Sequence, residues 1–122
     1  MATLSELSES AFVQLAEHTL SQIEQAVEGA CDTYALDLEC TRQGNVLEIE
    51  CIDGNNAKRA GSKLIVNSNT SLQEIWLAAR AGGFHFKRVG DAWRNTRDNS
   101  ELFSSLAQQL SAQCGVSIQL KI

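Results

Sequence analysis

The stretch EIWLAARAGGFHF, residues 74–86, decides the fold because its first half alternates apolar and polar side chains. Ile75 and Leu77 fall on one face of the strand that this alternation predicts, and Glu74 and Trp76 fall on the other. The apolar face belongs against a hydrophobic core, so the opposite face is in water. The sequence therefore predicts a strand that holds a tryptophan on its wet face.

Similar short segments lie before and after this strand. Ala81, Gly82 and Gly83 are predicted to break it, and Gly90–Asp91 is predicted to turn the chain between two later strands. The predicted strands cover residues 35–42, 46–52, 63–67, 74–80, 84–89 and 92–97. Because consecutive strands are joined by short turns, we expect an antiparallel meander of five or six strands.

The first two strands are predicted to form a hairpin. A two-residue turn at Gln43–Gly44 would set Glu39 opposite Glu48 and Asp37 opposite Glu50. In this register the apolar sets of the two strands share one face and the acidic sets share the other. Like charges that face each other repel, so a bound cation or a basic partner would reduce the repulsion between carboxylates on the outer face of the hairpin.

Two segments have the three- and four-residue spacing of an amphipathic helix. Residues 10–30 form the first, with Ser8 or Ser10 as its cap. Residues 99–114 form the second, and Gly115 follows at a typical C′ position. The predicted fold class is therefore α+β, a two-layer sandwich in which two helices pack on one face of an antiparallel sheet.

The chain has the length of one domain, residues 1–122, and its net charge of −5 is unevenly divided. Residues 1–53 contain eleven acidic side chains and one basic side chain, whereas residues 54–122 contain nine basic and four acidic ones. An acidic first half repels nucleic acid and attracts cations or a basic protein. We therefore expect no nucleic acid as a partner.

Two features of the sequence bear on the compartment. No apolar run approaches the ~20 residues of a membrane span, and the first ten residues, MATLSELSES, have no targeting pattern. We expect no membrane partner and a bacterial cytoplasmic protein, or a chain given without its presequence. The four cysteines, Cys31, Cys40, Cys51 and Cys114, lack metal-binding spacing, and we interpret them as small buried side chains in a reducing compartment.

Acidic side chains form a stripe along the first helix that continues into the first strand, provided that this strand lies at the sheet edge. We call these residues the acidic ridge: Glu17, Glu24, Glu28, Asp32, Asp37 and Glu39. Carboxylate oxygens suit hard cations such as iron, Mg²⁺, Ca²⁺ and Mn²⁺, and binding on a solvated surface is weak. The alternative, which spacing alone leaves open, is a solvated acidic face without a ligand.

The wet face of the sheet is a second candidate site. It carries Ile65, Asn67, Trp76 and His85, a composition typical of a protein-docking patch. In the alternative interpretation, Trp76 lies flat beneath a loop or the carboxyl-terminal tail. Neither His85 nor His18 has an evident base or nucleophile beside it, so we predict no catalytic residue.

Residues 62–93, SKLIVNSNTSLQEIWLAARAGGFHFKRVGDAW, resemble the frataxin family in its bacterial CyaY form. The resemblance rests on VN, IWLA, GGFHF and the G-x-x-W of Gly90 to Trp93, and it extends from about Ser10 to the end of the chain. It implies a single frataxin-like domain, with two helices on one face of an antiparallel sheet of about five to seven strands.

The resemblance also implies a function. Frataxins bind iron weakly, as Fe²⁺ or Fe³⁺, on an acidic ridge, and they dock on the cysteine desulfurase and the iron–sulfur scaffold protein. For this sequence it implies metal binding by the acidic ridge and partner binding by Asn67, Trp76 and His85. It implies a regulator of cluster assembly, or an iron donor to it, rather than an enzyme. The expected state is a monomer, with an iron-dependent oligomer as the alternative.

Other functions and departures from the family pattern stay open. A ferroxidase or iron-storage protein that oxidises Fe²⁺ on the ridge is the rival hypothesis, although no Glu-x-x-His pair of the ferritin kind is present. A third is an interaction module whose metal binding is incidental.

Gln25, Gly29 and Ala30 interrupt the ridge, and the loop from Asp53 to Ser62 is longer than the usual tight turn.

Overall fold

A helix begins the described chain and a second helix lies near its end, with six strands between them. The computed structural model describes residues 7–52 and 63–120, so the loop from Asp53 to Ser62 lies outside the described residues. In chain order the elements are α1 (Glu9–Tyr34), β1 (Asp37–Gln43), β2 (Val46–Ile52), β3 (Lys63–Asn69), β4 (Glu74–Ala79), β5 (Gly82–Val89), β6 (Ala92–Asn95) and α2 (Leu102–Cys114).

The strands form one antiparallel sheet in the order β1-β2-β3-β4-β5-β6. Each strand pairs with the next one along the chain, so the predicted meander is confirmed and β1 is an edge strand. One detail differs from the prediction. The chain turns at Arg80–Ala81, and Gly82 and Gly83 already belong to β5 and face Ala79 and Ala78 of β4.

The register of the first hairpin differs from the prediction by two residues. The turn lies at Gly44–Asn45, so Glu39 faces Glu50, while Asp37 faces Ile52 and not Glu50. The cause is the turn itself, because Gly44 adopts a φ of 57° at its first central position, a conformation that favours glycine. A shift by two residues keeps every side chain on its predicted face.

Helix α1 starts one residue before the predicted segment and continues four residues beyond it. The Ser8 hydroxyl accepts a hydrogen bond from the Ala11 N–H at 3.0 Å, which confirms a serine cap. The C-cap of the helix is Ala35, which is left-handed with a φ of 53° and donates its backbone N–H to the Cys31 carbonyl. The buried residues of α1 recur at three- and four-residue steps: Phe12, Ala16, Thr19, Leu20, Ile23, Ala26, Val27 and Ala30.

Helix α2 is held at both ends. Its N-cap is Glu101, whose carboxylate accepts hydrogen bonds from the N–H groups of Phe103 and Ser104. Its C-cap is Gly115, with a φ of 79°, as the sequence predicts. Beyond it, residues 116–120 form no strand. They run back along α2, where the Ile118 N–H donates to the Ser111 hydroxyl at 2.8 Å.

The core lies between the helices and one face of the sheet, which confirms the two-layer architecture. Ile75 and Leu77 are 0% and 1% exposed, as the alternation of the central strand predicts. Trp93 is also buried, and its indole N–H donates to the Thr19 hydroxyl of α1 at 2.9 Å. This bond satisfies the polar atoms of both side chains inside the core.

The interpretation of the cysteines is wrong for one pair. Cys51 of β2 and Cys114 of α2 form a disulfide, with their Cα atoms 5.8 Å apart. Their side chains meet because the inner face of β2 packs beneath the last turn of α2. Cys31 and Cys40 are free and half-buried.

Candidate functional site: an acidic ridge and a tryptophan-bearing sheet face

The acidic ridge follows one side of the molecule, from the outer face of α1 to the edge strand β1. Glu17, Glu24, Glu28 and Asp32 lie on α1, and Asp37 and Glu39 lie on β1. Every one of these six residues is exposed except Glu24, which is half-buried. The position of β1 at the sheet edge meets the condition on which the predicted ridge depended.

An arginine divides the ridge. The Nη2 of Arg42 donates to the Glu17 carboxylate, and its Nη1 donates to the Glu24 carboxylate at 3.0 Å. The Arg42 side chain is only 17% exposed. Burial by itself would lower the pKa of Arg42, but the hydrogen bonds to Glu24 and Glu17 raise it above the usual arginine value. The guanidinium is therefore a permanent positive charge inside the ridge.

The remaining ridge residues, Glu28, Asp32, Asp37 and Glu39, are called the distal ridge below. Within the described residues none of them has an ion-pair partner, and all four are exposed. Glu39 also faces Glu50 directly across the β1–β2 ladder, and Glu50 in turn faces Lys63 of β3.

Cys40 lies on β1 between the carboxylates of the ridge. Burial, followed by the negative charges of Glu24 and Glu28 and by Cys31, raises the pKa of the Cys40 thiol from 9.0 to about 11. A metal ligand must be a thiolate, so a cation that bound this sulfur would have to displace its proton.

The carboxylate oxygens of the ridge are the type of ligand that hard cations prefer. The carboxylates are, however, spread over an exposed surface. In the described parts of the chain, no three His, Cys, Asp or Glu side chains are grouped closely enough to hold a metal ion. Exposed carboxylates spread along a helix and a strand attract cations electrostatically, with low affinity and strong dependence on salt. The assignment of metal binding to the six ridge residues stays a prediction.

The three predicted partner-binding residues lie side by side on the wet face of the sheet. The pairing registers place Asn67 opposite Trp76, and Trp76 opposite His85, so they form one row across β3, β4 and β5. The Trp76 and His85 rings are stacked, with centroids 4.4 Å apart and planes at 7°. We call this set the sheet row.

Glu74 has a different environment from the one its position in the alternation predicts. It lies on the wet face as expected, yet it is only 7% exposed. Its carboxylate accepts a hydrogen bond from the Trp76 indole N–H at 2.7 Å and lies 3.6 Å from the Lys87 ammonium and 3.5 Å from His85 Nδ1. The Trp76 indole, His85 and Lys87 thus surround Glu74.

The alternative interpretation of Trp76 is a ring covered by a loop or by the tail. In the described residues the ring contact of Trp76 is with His85, and its side chain remains partly exposed. The tail lies elsewhere, where the Gln119 N–H donates to the Tyr34 hydroxyl at 3.0 Å. Whether a partner binds the sheet row stays a prediction.

The comparisons with known proteins agree with one another. Residues 5–116 match the model of the frataxin-like domain. The iron-sulfur cluster assembly protein CyaY of Janthinobacterium sp. (strain Marseille) is 52% identical over 115 residues, which are 94% of this chain and 97% of the relative. The protein of the same name in Herminiimonas arsenicoxydans has the same identity and coverage, and that of Cupriavidus metallidurans is 47% identical.

Solved structures show the same fold. A frataxin from Psychromonas ingrahamii superposes with a TM-score of 0.78 at 24% identity, covering 95% of this chain and 100% of its own. The ferrous complex of trimeric frataxin from the yeast Saccharomyces cerevisiae has a TM-score of 0.60 at 17% identity and covers 94% of this chain and 93% of its own. No helix in the described residues has the length and apolarity to cross a membrane. From the match to the domain model and from relatives of about 50% identity along nearly the whole chain, this chain belongs to the frataxin family.

Proposed function

We propose that this chain is a non-catalytic iron-binding regulator of iron–sulfur cluster assembly, or an iron donor to it. It acts by docking on the cysteine desulfurase and the scaffold protein. The distal ridge would meet a basic surface of the desulfurase, and the sheet row would contact the scaffold. Weakly bound iron, as Fe²⁺ or Fe³⁺, would change this docking by neutralising carboxylate charge. The names of the relatives support the assembly role, because they are called iron-sulfur cluster assembly proteins. The cytoplasmic location remains a prediction.

The distal ridge is the observation that carries this proposal. Its four carboxylates are exposed on adjacent elements and have no internal cation in the described residues, so solvent ions or a basic partner would reduce their repulsion. Electrostatic contacts of this kind mainly raise the association rate and orient the partner.

Charge reversal tests the proposal. The double variant Glu28→Lys/Glu39→Lys should abolish binding to the desulfurase and its effect on the rate of cysteine desulfuration. The control Glu9→Lys/Asp91→Lys changes the net charge equally at exposed positions outside the ridge, and it should bind as the unsubstituted protein does. Circular dichroism checks that both variants fold. Normal binding and modulation by the ridge variant would show that the ridge is not the interface.

Oxygen consumption separates this role from the ferroxidase alternative. A regulator binds Fe²⁺ in an anaerobic titration and, under air, does not accelerate oxygen uptake beyond the rate of iron in buffer. Catalytic oxidation of many Fe²⁺ equivalents at low protein concentration would favour the enzyme. Desulfurase assays with and without Fe²⁺ distinguish the regulator from a module whose metal binding is incidental, since only the regulator responds to iron.

A further inference from the structure

We propose that Arg42 is a built-in counter-cation that keeps Glu17 and Glu24 from binding metal ions or partners, so that the distal ridge alone is available for both. This inference rests on the function proposed above for the ridge. It adds a residue that limits where cations bind, and it divides six similar carboxylates into two that share one internal guanidinium and four for which the described residues supply no cation.

Four hydrogen bonds fix the guanidinium of Arg42. Its Nε donates to the Gly44 carbonyl at 3.1 Å, within the β1–β2 turn. Its Nη1 donates to the Ser21 hydroxyl at 3.3 Å as well as to Glu24, and its Nη2 donates to Glu17. The contacts with α1 therefore involve three side chains on successive turns of one helix face, while the contact with Gly44 holds the other side of the group. A guanidinium held in this way has little freedom to move aside.

The position of Arg42 excludes a second cation. Glu17 and Glu24 are seven residues apart, so they lie two turns apart on the same face of α1, and the guanidinium bridges them. A metal ion that used both carboxylates would have to displace a charged group whose planar fork matches carboxylate geometry. A metal ion on one of them would lie beside a fixed positive charge. Both arrangements cost more than binding at the distal ridge, where the described residues supply no such cation.

The same contacts also hold α1 against the sheet edge. The test therefore needs a measurement that would not change if Arg42 had only this structural role. Mn²⁺ is a suitable probe, because it prefers oxygen ligands, does not oxidise in air at neutral pH and broadens the NMR signals of nearby backbone amides. In the unsubstituted protein, Mn²⁺ should broaden the amides near residues 28–39 and leave those near Glu17 intact.

The decisive variant is Arg42→Gln. Broadening should extend to the amides around Glu17, and the affinity for Mn²⁺ should rise by about threefold to tenfold, as expected for removing one charge from a partly screened surface. Arg42→Lys retains the charge and should keep the original pattern. Arg97→Gln, which removes an exposed arginine far along the sequence, should also keep the original pattern of broadening. An Arg42→Gln protein with unchanged pattern and affinity would overturn the proposal.

A second variant covers the case in which Arg42→Gln does not fold. Glu17→Gln/Glu24→Gln in the unsubstituted background should keep the broadening near residues 28–39, with only the severalfold loss of Mn²⁺ affinity that the removal of two negative charges produces, and loss of that broadening in this variant would overturn the proposal. The outcome also separates this inference from the proposed function. If Mn²⁺ fails to broaden residues 28–39, the proposed metal binding by the distal ridge fails, whereas the Arg42 inference still requires new broadening around Glu17 in Arg42→Gln.

Discussion

The orientation of Trp76 depends on one buried carboxylate. Glu74 accepts the indole hydrogen bond, and the side chains of His85 and Lys87 surround the same group. A tryptophan held by a hydrogen bond and by a stacked ring loses little rotamer freedom when a partner binds, and this lowers the entropic cost of docking. Glu74 is thus a positioning residue for the sheet row.

We predict that Glu74→Ala weakens docking through Trp76 and lowers the free energy of unfolding by about 1–2 kcal/mol, because a buried hydrogen bond to a charged acceptor is lost. The indole N–H signal of Trp76 should shift and exchange faster with solvent in NMR spectra. Glu74→Gln keeps an oxygen acceptor for the indole and should retain most of the docking. An unchanged indole signal in Glu74→Ala would contradict the role assigned to Glu74.

The β1–β2 hairpin shows how a single turn sets the position of a whole strand. Gly44 has a positive φ at the turn, and this places Glu39 opposite Glu50 and brings Arg42 to the helix face that carries Glu17 and Glu24. The charge distribution of the ridge therefore depends on turn geometry as well as on composition.

We predict that Gly44→Ala lowers the free energy of unfolding by about 1 kcal/mol, because a left-handed conformation is strained for a residue with a Cβ atom. Gly83→Ala is the matched control. Gly83 has no positive φ, and a Cβ added at either glycine would meet no heavy atom within 4 Å. The control should be neutral or slightly stabilising in urea denaturation. Equal destabilisation of both proteins would show that backbone conformation at Gly44 is not the cause.

Sequence reasoning succeeded where a short-range pattern decides the structure and failed where distant segments meet. Alternation predicted the strands and their buried faces, but a period of two cannot distinguish registers that differ by two residues. The ion pairs of Arg42 join β1 to α1, and the Cys51–Cys114 disulfide spans 63 residues, so neither leaves a local signal. Alternation correctly predicts the face on which Glu74 lies, but it cannot predict the neighbours that cover the side chain.

For the molecule as a whole, charge is divided between two surfaces with different roles. The half that carries the ridge has eleven acidic residues and one arginine, whereas the row of Asn67, Trp76 and His85 lies in the half that is basic overall. Asp37 and Glu39 lie on the same face of the sheet as this row, toward its β1 edge, so two partners with different surface chemistry can approach neighbouring parts of the chain.

We predict that desulfurase binding weakens steeply between about 0.1 M and 1 M salt, since screening shortens the range of charge interactions from roughly 10 Å to 3 Å. Binding that depends on the sheet row should change much less, because it relies on an aromatic and amide surface. Isothermal titration calorimetry at several salt concentrations measures the affinity for the desulfurase and the affinity for the partner that binds the sheet row. The melting temperature of the free protein serves as the control for folding. Salt-independent desulfurase binding would contradict the electrostatic docking proposed for the ridge.

The Cys51–Cys114 disulfide divides the chain topologically. The backbone from Cys51 to Cys114 becomes a covalent ring that contains β3, β4, β5, β6 and α2, and thus the whole sheet row. Helix α1, strand β1 and the acidic ridge lie outside it, on an amino-terminal arm attached at a single point. One protease cut inside the ring leaves a single covalent molecule, whereas one cut before Cys51 leaves the severed arm held only by noncovalent packing.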